Sequence, residues 1–309
     1  MLPYLARRTI SSLWVLLAVS LAVFIALDAA PGNAADVLVA DSGSEQQRQE
    51  LMRALGLDRP LWERYPRFLA GIILHGDLGT SWMNGRPVTE LILERLPATL
   101  LLALAAMSLT VLLGATAGLI AAARPGSWLD LTVMGGTLLG LAIPNFWLAL
   151  LLIFAFGLRL HWLPVTGSGT AAHLVLPAVT LALPSAAVIS RFLRASVLDT
   201  RESGFVWAGR ARGLARSYLL AHYILRNSLI PVITMLGLQF GRLLGGVFIV
   251  ETIFSWPGLG RLAVQAIFDR DLPVVAGAAL VIASGYILSL LIVDLCHLWL
   301  DPRLRSRVP

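Results

Sequence analysis

The sequence contains no lysine, so all 24 of its basic residues are arginine. A phosphate-binding loop of the G-x-x-x-x-G-K-[ST] type needs a lysine against the phosphates. The chain therefore cannot bind and split ATP by that route. A lone cysteine, Cys296, rules out an intrachain disulfide and suggests no thiol-based metal cluster. The histidines at 75, 161, 173, 222 and 297 show no H-E-x-x-H spacing, and no G-x-S-x-G turn is present. They read as surface or interface residues; no catalytic group, cofactor or metal site is predicted. Charge is scarce as well. Only 14% of the 309 residues are charged and 57% are hydrophobic, against roughly 25% and 45–50% in soluble domains. No enzyme signature stands out, and the composition points to a membrane protein with net charge +6.

Six candidate spans follow, at about 10–29, 97–122, 131–158, 172–195, 229–250 and 273–297. Each is long enough to cross ~30 Å of hydrocarbon as a helix, and long runs without alternation are helical rather than barrel strands. The first is preceded by Arg7 and Arg8 and resembles a signal peptide. Its apolar run, Ile10 to Leu27, is about 18 residues, longer than the ~7–15 of a signal core, so it reads as an uncleaved membrane helix. Arginines of short loops set the orientation. Arg7 and Arg8, Arg124, the group from Arg191 to Arg226, and Arg303, Arg305 and Arg307 all fall on one side of a six-span topology. That side is expected to be cytoplasmic and to hold both termini.

The long first loop looks folded. Ser44 and Gln47 have capping-box spacing for a helix through Leu55, with Gly56 suited to its end. A second helix is expected near Pro60 with a break at Pro66, and "PVTELILERL" reads as an amphipathic helix leading to Pro97. The expected organisation is a first membrane helix at 1–30, a helical extracytoplasmic subdomain at 31–96, and a membrane core at 97–309.

Between the fourth and fifth spans lies "DTRESGFVWAGRARGLARSYLLAHYILRNSLIP". Ser203 is placed to cap a short helix from Phe205 to Arg212, Gly213 permits a sharp bend, and Ser217 is placed to cap a second helix through Arg226. A helix–bend–helix this polar stays out of lipid. Composition alone also allows a basic helix resting on anionic headgroups.

The stretch resembles the cytoplasmic coupling loop of permease subunits in binding-protein-dependent ABC importers, in the dipeptide, oligopeptide and nickel group. That group shows A-R-A-K-G-L, about ten residues, then L-R-N-x-L-x-P. Here stand Arg210, Ala211, Arg212, Gly213 and Leu214, then Leu225, Arg226, Asn227, Ser228, Leu229, Ile230 and Pro231. Trp207, Ala208 and Gly209 take the three positions for which the "EAA" motif is named, with Trp for Glu and Gly for Ala. "LGLDRPLWERY", "GDLGTS", "RPVTELILERLPATL", "IPNFWLALLL", "WLPVTG", "FSWPGLGRLAVQAIFDRDLPVV" and "LDPRLR" extend the likeness along nearly the whole chain in the expected order.

The resemblance implies an all-α polytopic permease of the bacterial cytoplasmic (inner) membrane. It implies a second homologous permease subunit, two P-loop ATPase subunits and an extracytoplasmic solute-binding protein as partners, within membrane lipid and without nucleic acid. The loop at about 199–228 then docks on an ATPase subunit, with Trp207 and Leu214 as apolar anchors and Gly213 as the bend. Arg210 and Arg212 pair with acids of that subunit or with lipid phosphate. Di- or oligopeptides are the first expectation for cargo, and nickel, a metal chelate or glutathione the second. The outer segment around "SWPGLGRL", with Trp256 and Arg261, is implied to lie on the binding-protein side.

Polar groups inside the spans complete the set. Asn145 follows Pro144, and Gln239 and Arg242 lie in the fifth span. A charge at such depth costs at least roughly 2.5–3.5 kcal/mol, so it faces the bundle or a watery path. All three are candidates for the translocation path; helix–helix hydrogen bonding is the alternative. Trp256 is expected at the membrane interface. Two other classes compete: a secondary transporter, which often shows inverted repeats, and an intramembrane hydrolase, which needs a nucleophile–base pair. Neither feature stands out.

Overall fold

The computed structural model describes residues 2–29, 35, 39, 44–54 and 56–300. The described residues are all-α, without a strand, apart from an isolated bridge between Thr80 and Pro87. The principal helices are α1 (Leu2–Ala29), α2 (Glu45–Ala54), α3 (Leu61–His75), α4 (Val88–Ala123), α5 (Trp128–Ala142), α6 (Asn145–Leu152), α7 (Ala171–Arg201), α8 (Gly204–Ala211), α9 (Arg216–Ile253), α10 (Leu259–Phe268) and α11 (Leu272–Leu300). Two π-helical stretches occur: Ile153–Arg159 continues α6, and Leu219–Leu225 lies inside α9.

Among the described residues, four helices are long and apolar enough to cross a membrane: Val88–Ala123, Ala171–Arg201, Arg216–Ile253 and Leu272–Val293. The expected span at 131–158 is not one straight helix. α5 and Asn145–Arg159 meet at a bend of 104° and make a fifth crossing only if counted together. The break follows from Pro144, which has no N–H to continue the ladder and pushes its predecessor out of helical geometry; Ile143 is extended, at φ −85° and ψ 120°. Other prolines do not act as sequence alone suggests. α3 runs through Pro66 and α4 through Pro97, so the amphipathic segment before Pro97 and the second span are one helix. Such prolines are tolerated where neighbouring groups satisfy the freed carbonyls.

The chain divides into two compact units. One comprises Leu101–Phe254 and the chain from Tyr286 onward. Its core joins Ile189, Leu193 and Val197 of α7 to Val206 of α8 and Ile224 and Val232 of α9. Glycines set close helix contacts here: a β-carbon at Gly118 of α4 would lie 2.7 Å from the Ser190 carbonyl oxygen of α7, and one at Gly241 of α9 would strike the Tyr286 ring. Asp130 at the start of α5 takes a two-pronged ion pair from Arg194 of α7, both contacts at 2.6 Å, and accepts from the Gly126 N–H.

The other unit comprises Leu2–Leu100 and Ser255–Gly285. Val88, Leu91 and Ile92 of α4 pack there against Leu259 and Ala266 of α10 and Val274 of α11. The capping box is present: the Ser44 N–H donates to Gln47 Oε1 and the Gln47 N–H to Ser44 Oγ. α2 closes with Gly56 at φ 66° and the Leu57 N–H on the Met52 carbonyl, the Schellman arrangement. Buried Asp271 accepts from the Ser81 hydroxyl and the Trp82 N–H, tying the loop before α4 to the start of α11.

Candidate functional site: the bent loop and the polar cavity

The loop between α7 and α9 is built from local chemistry. α8 buries Val206 and Gly209, three residues apart on one face, and exposes Trp207, Ala208 and Arg210. The Arg210 guanidinium lies 5.0 Å from the centre of the Trp207 ring, a cation–π contact that holds both on the outer surface. Gly209 sits where a β-carbon would lie 2.6 Å from Leu219 Cδ2. Glycine in place of the motif's alanine thus lets Leu219 close over α8. The helix ends on Gly213, at φ 73°. The Gly213 N–H donates to the Arg210 carbonyl and the Leu214 N–H to the Gly209 carbonyl, a second Schellman closure. Leu214 is half-buried behind the turn, and Arg212 is exposed beside it.

Two expected caps are corrected. Ser203 occupies the N-cap position of α8, but its hydroxyl turns back to the Thr200 carbonyl at 2.6 Å and makes no cap bond. Ser217 starts no separate helix. Ala215 holds the N-cap position, and the helix from Arg216 continues through the π-helical stretch into the fifth span instead of ending at Arg226. In neither place is the expected hydroxyl cap made.

A hydroxyl cluster that the sequence did not announce ties the two ends of the loop together. Ser196 Oγ donates to the Ser228 carbonyl at 2.9 Å, and the fully buried Ser228 hydroxyl reaches Thr200 Oγ1 at 3.0 Å.

Asn145 of α6 joins Gln239 and Arg242, one turn apart on α9, in lining one cavity of about 170 Å³, with Pro184 and Ser185 of α7. Gln239 is buried, Asn145 half-buried and Arg242 exposed. Arg242 donates to Gln239 Oε1 at 3.5 Å. These groups offer a cation and two carboxamides, each with two N–H donors and one acceptor oxygen.

In the segment 255–262, Trp256 is packed inside the protein. Its ring is buried within its own unit, and the indole N–H donates to the Ala98 carbonyl at 2.9 Å. The next turn is fixed by the Leu259 N–H on Thr99 Oγ1. Arg261 is exposed and donates to the Ser255 carbonyl.

Residues 114–306 match the family described as binding-protein-dependent transport system inner membrane component, and residues 1–103 match its N-terminal counterpart. The glutathione transport system permease protein GsiC of Escherichia coli K12 is 37% identical over 307 residues, covering 99% of this chain and all of its own length. The protein of the same name from Pectobacterium atrosepticum is 38% identical over the same coverage. Among solved structures, an amino acid ABC transporter has a TM-score of 0.56 at 19% identity, covering 68% of this chain and 94% of its own. The inward-facing MetNI methionine ABC transporter also scores 0.56, at 18% identity, with 69% and 97% covered.

Proposed function

Because the chain belongs to the family of binding-protein-dependent transport system inner membrane components, we propose that its bent loop receives the work of an ATPase subunit and that its polar cavity passes a small peptide. The protein is a multi-pass inner-membrane permease subunit of an ABC importer, and not itself an enzyme. In our reading α1 and the bent pair join the four long helices as six crossings, with both termini and the 199–228 loop cytoplasmic. The partners are a second homologous permease, two P-loop ATPase subunits and an extracytoplasmic solute-binding protein.

The observation that carries this proposal is the geometry of the loop. Trp207, Ala208 and Arg210 stand outward, Gly213 turns the chain, and the hydroxyl cluster holds α7 and α9 to one another. Closure of the two ATPase subunits on ATP presses the exposed face, and α7 and α9 tilt together. Arg212 and Leu214 complete the docking surface. The same helices carry the cavity, so access to Asn145, Gln239 and Arg242 changes from one side of the membrane to the other. Arg261 lies toward the binding protein, and buried Trp256 positions that segment.

Glutathione, itself a small peptide, is the favoured cargo, supported by full-length identity of 37–38% to proteins named as glutathione permeases. A guanidinium pairs with a carboxylate, and the two amides match peptide groups. The test is uptake by the reconstituted importer with its own binding protein, offered labelled glutathione, a tetrapeptide or Ni²⁺. Saturable, ATP-dependent glutathione uptake that falls at least tenfold in Arg242→Ala is expected. Uptake of Ni²⁺ alone would overturn the cargo.

A further inference from the structure

Beside the loop, in the same unit, lies a second cavity of about 420 Å³. This volume falls in the ~300–1,000 Å³ range of small-molecule sites. Its walls are mostly apolar, and the charged residues lining it are Arg201 at the end of α7, Arg210 of α8 and Arg216 at the start of α9. No carboxylate lines it, and among the described residues none of the three arginines makes an ion pair with an acid. Leu119 and Ile120 of α4 and Leu220 of α9 line it and are exposed beside the arginines. The cavity thus joins concentrated positive charge to an apolar wall that continues onto a membrane-spanning helix.

We propose that this cavity binds one anionic phospholipid of the cytoplasmic leaflet, its phosphate held by Arg201 and Arg216 and its acyl chain laid along Leu119, Ile120 and Leu220. The inference rests on the cytoplasmic placement of the loop. Charge complementarity selects an anion, and basic pockets between membrane helices on that face suit anionic headgroups. The apolar wall selects a lipid over free phosphate or a nucleotide, which would leave that wall wet. A bound lipid would bridge α7 and α9 on either side of the loop, so its loss loosens the loop from the spans.

The test uses the complete importer, purified with its partner subunits and analysed by native mass spectrometry after exchange into phosphatidylglycerol, phosphatidylcholine or inorganic phosphate. The wild type should retain one phosphatidylglycerol per permease of this type and neither phosphatidylcholine nor phosphate. The Arg201→Gln/Arg216→Gln variant should bind it about 25-fold more weakly, near fivefold per arginine, and Arg201→Lys/Arg216→Lys should restore most of that. Equal retention of phosphatidylcholine by the wild type, or undiminished phosphatidylglycerol in the Gln variant, overturns the proposal. So does a Gln variant that sheds the ATPase subunits while keeping its lipid, because the arginines then belong to a protein interface. The wild-type lipid comparison stands even where a variant fails to assemble. Coupled transport without lipid retention defeats this inference alone; an externally exposed loop defeats the reading beneath it.

Discussion

Gly213 is the residue on which the loop geometry turns. Its φ of 73° lies where a β-carbon costs roughly 1–2 kcal/mol, although no atom stands within 4 Å of the space a side chain would take. Strain, not collision, is therefore the penalty. Gly213→Val should reach the membrane at normal levels and still hold its ATPase subunits, while ATP-driven uptake is lost. Gly213→Asn, which tolerates this conformation, should retain most uptake. Normal transport by the valine variant would remove Gly213 from the coupling mechanism. Arg194 has a structural role instead. Removing one member of a buried pair leaves an uncompensated charge, at a cost of about 3–5 kcal/mol. Asp130 is buried but Arg194 is partly exposed, so Arg194→Ala should cost near the lower end of that range in detergent melts. A neutral Asp130→Asn/Arg194→Gln pair should recover much of it.

At the scale of elements, legibility in the sequence followed sequence distance. The Ser44–Gln47 box, the Gly56 stop and the bend at Gly213 depend on residues within one or two turns, and each is present. Contacts closed across the chain were not legible. Asp130 and Arg194 are 64 positions apart, and Ser81 and Asp271 190 apart, so no spacing rule joins them. The caps assigned to Ser203 and Ser217 failed because the Ser203 hydroxyl turns back to the Thr200 carbonyl and the helix starting at Arg216 has Ala215 at its N-cap position. The bend at Pro144 was hidden because a proline in a membrane helix signals anything from no kink to a full break. Spin labels at exposed Trp128 and Leu158 would measure it. A straight helix separates these positions by about 45 Å at ~1.5 Å per residue, whereas two legs of ~22 Å bent as observed leave about 27 Å between backbones. Pro144→Leu should lengthen the distance.

At the scale of the whole molecule, the all-α class and the permease family were legible because hydrophobic run length and ordered motifs extend over nearly the entire chain. Gathering Asn145, Gln239 and Arg242 at one cavity required the fold. Sidedness has a direct test. In a Cys296→Ser background, a membrane-impermeant thiol reagent should modify Arg212→Cys only in inverted vesicles, and Thr166→Cys only in right-side-out ones. Both positions are exposed. The reverse pattern would place the loop outside and detach it from any ATPase.

The widened turn at Leu219–Leu225 separates the bent loop from Gln239 and Arg242. A π-helical turn accommodates a surplus residue, and each residue of an ordinary α-helix advances the azimuth by about 100°. Deleting Ala221 would let that turn relax to regular pitch, leaving the downstream helix in phase. Deleting Met235 has no such reserve to draw on and would swing Gln239 and Arg242 by about 100°, off the cavity wall. The two single-codon deletions should therefore diverge, the first sparing uptake and the second abolishing it.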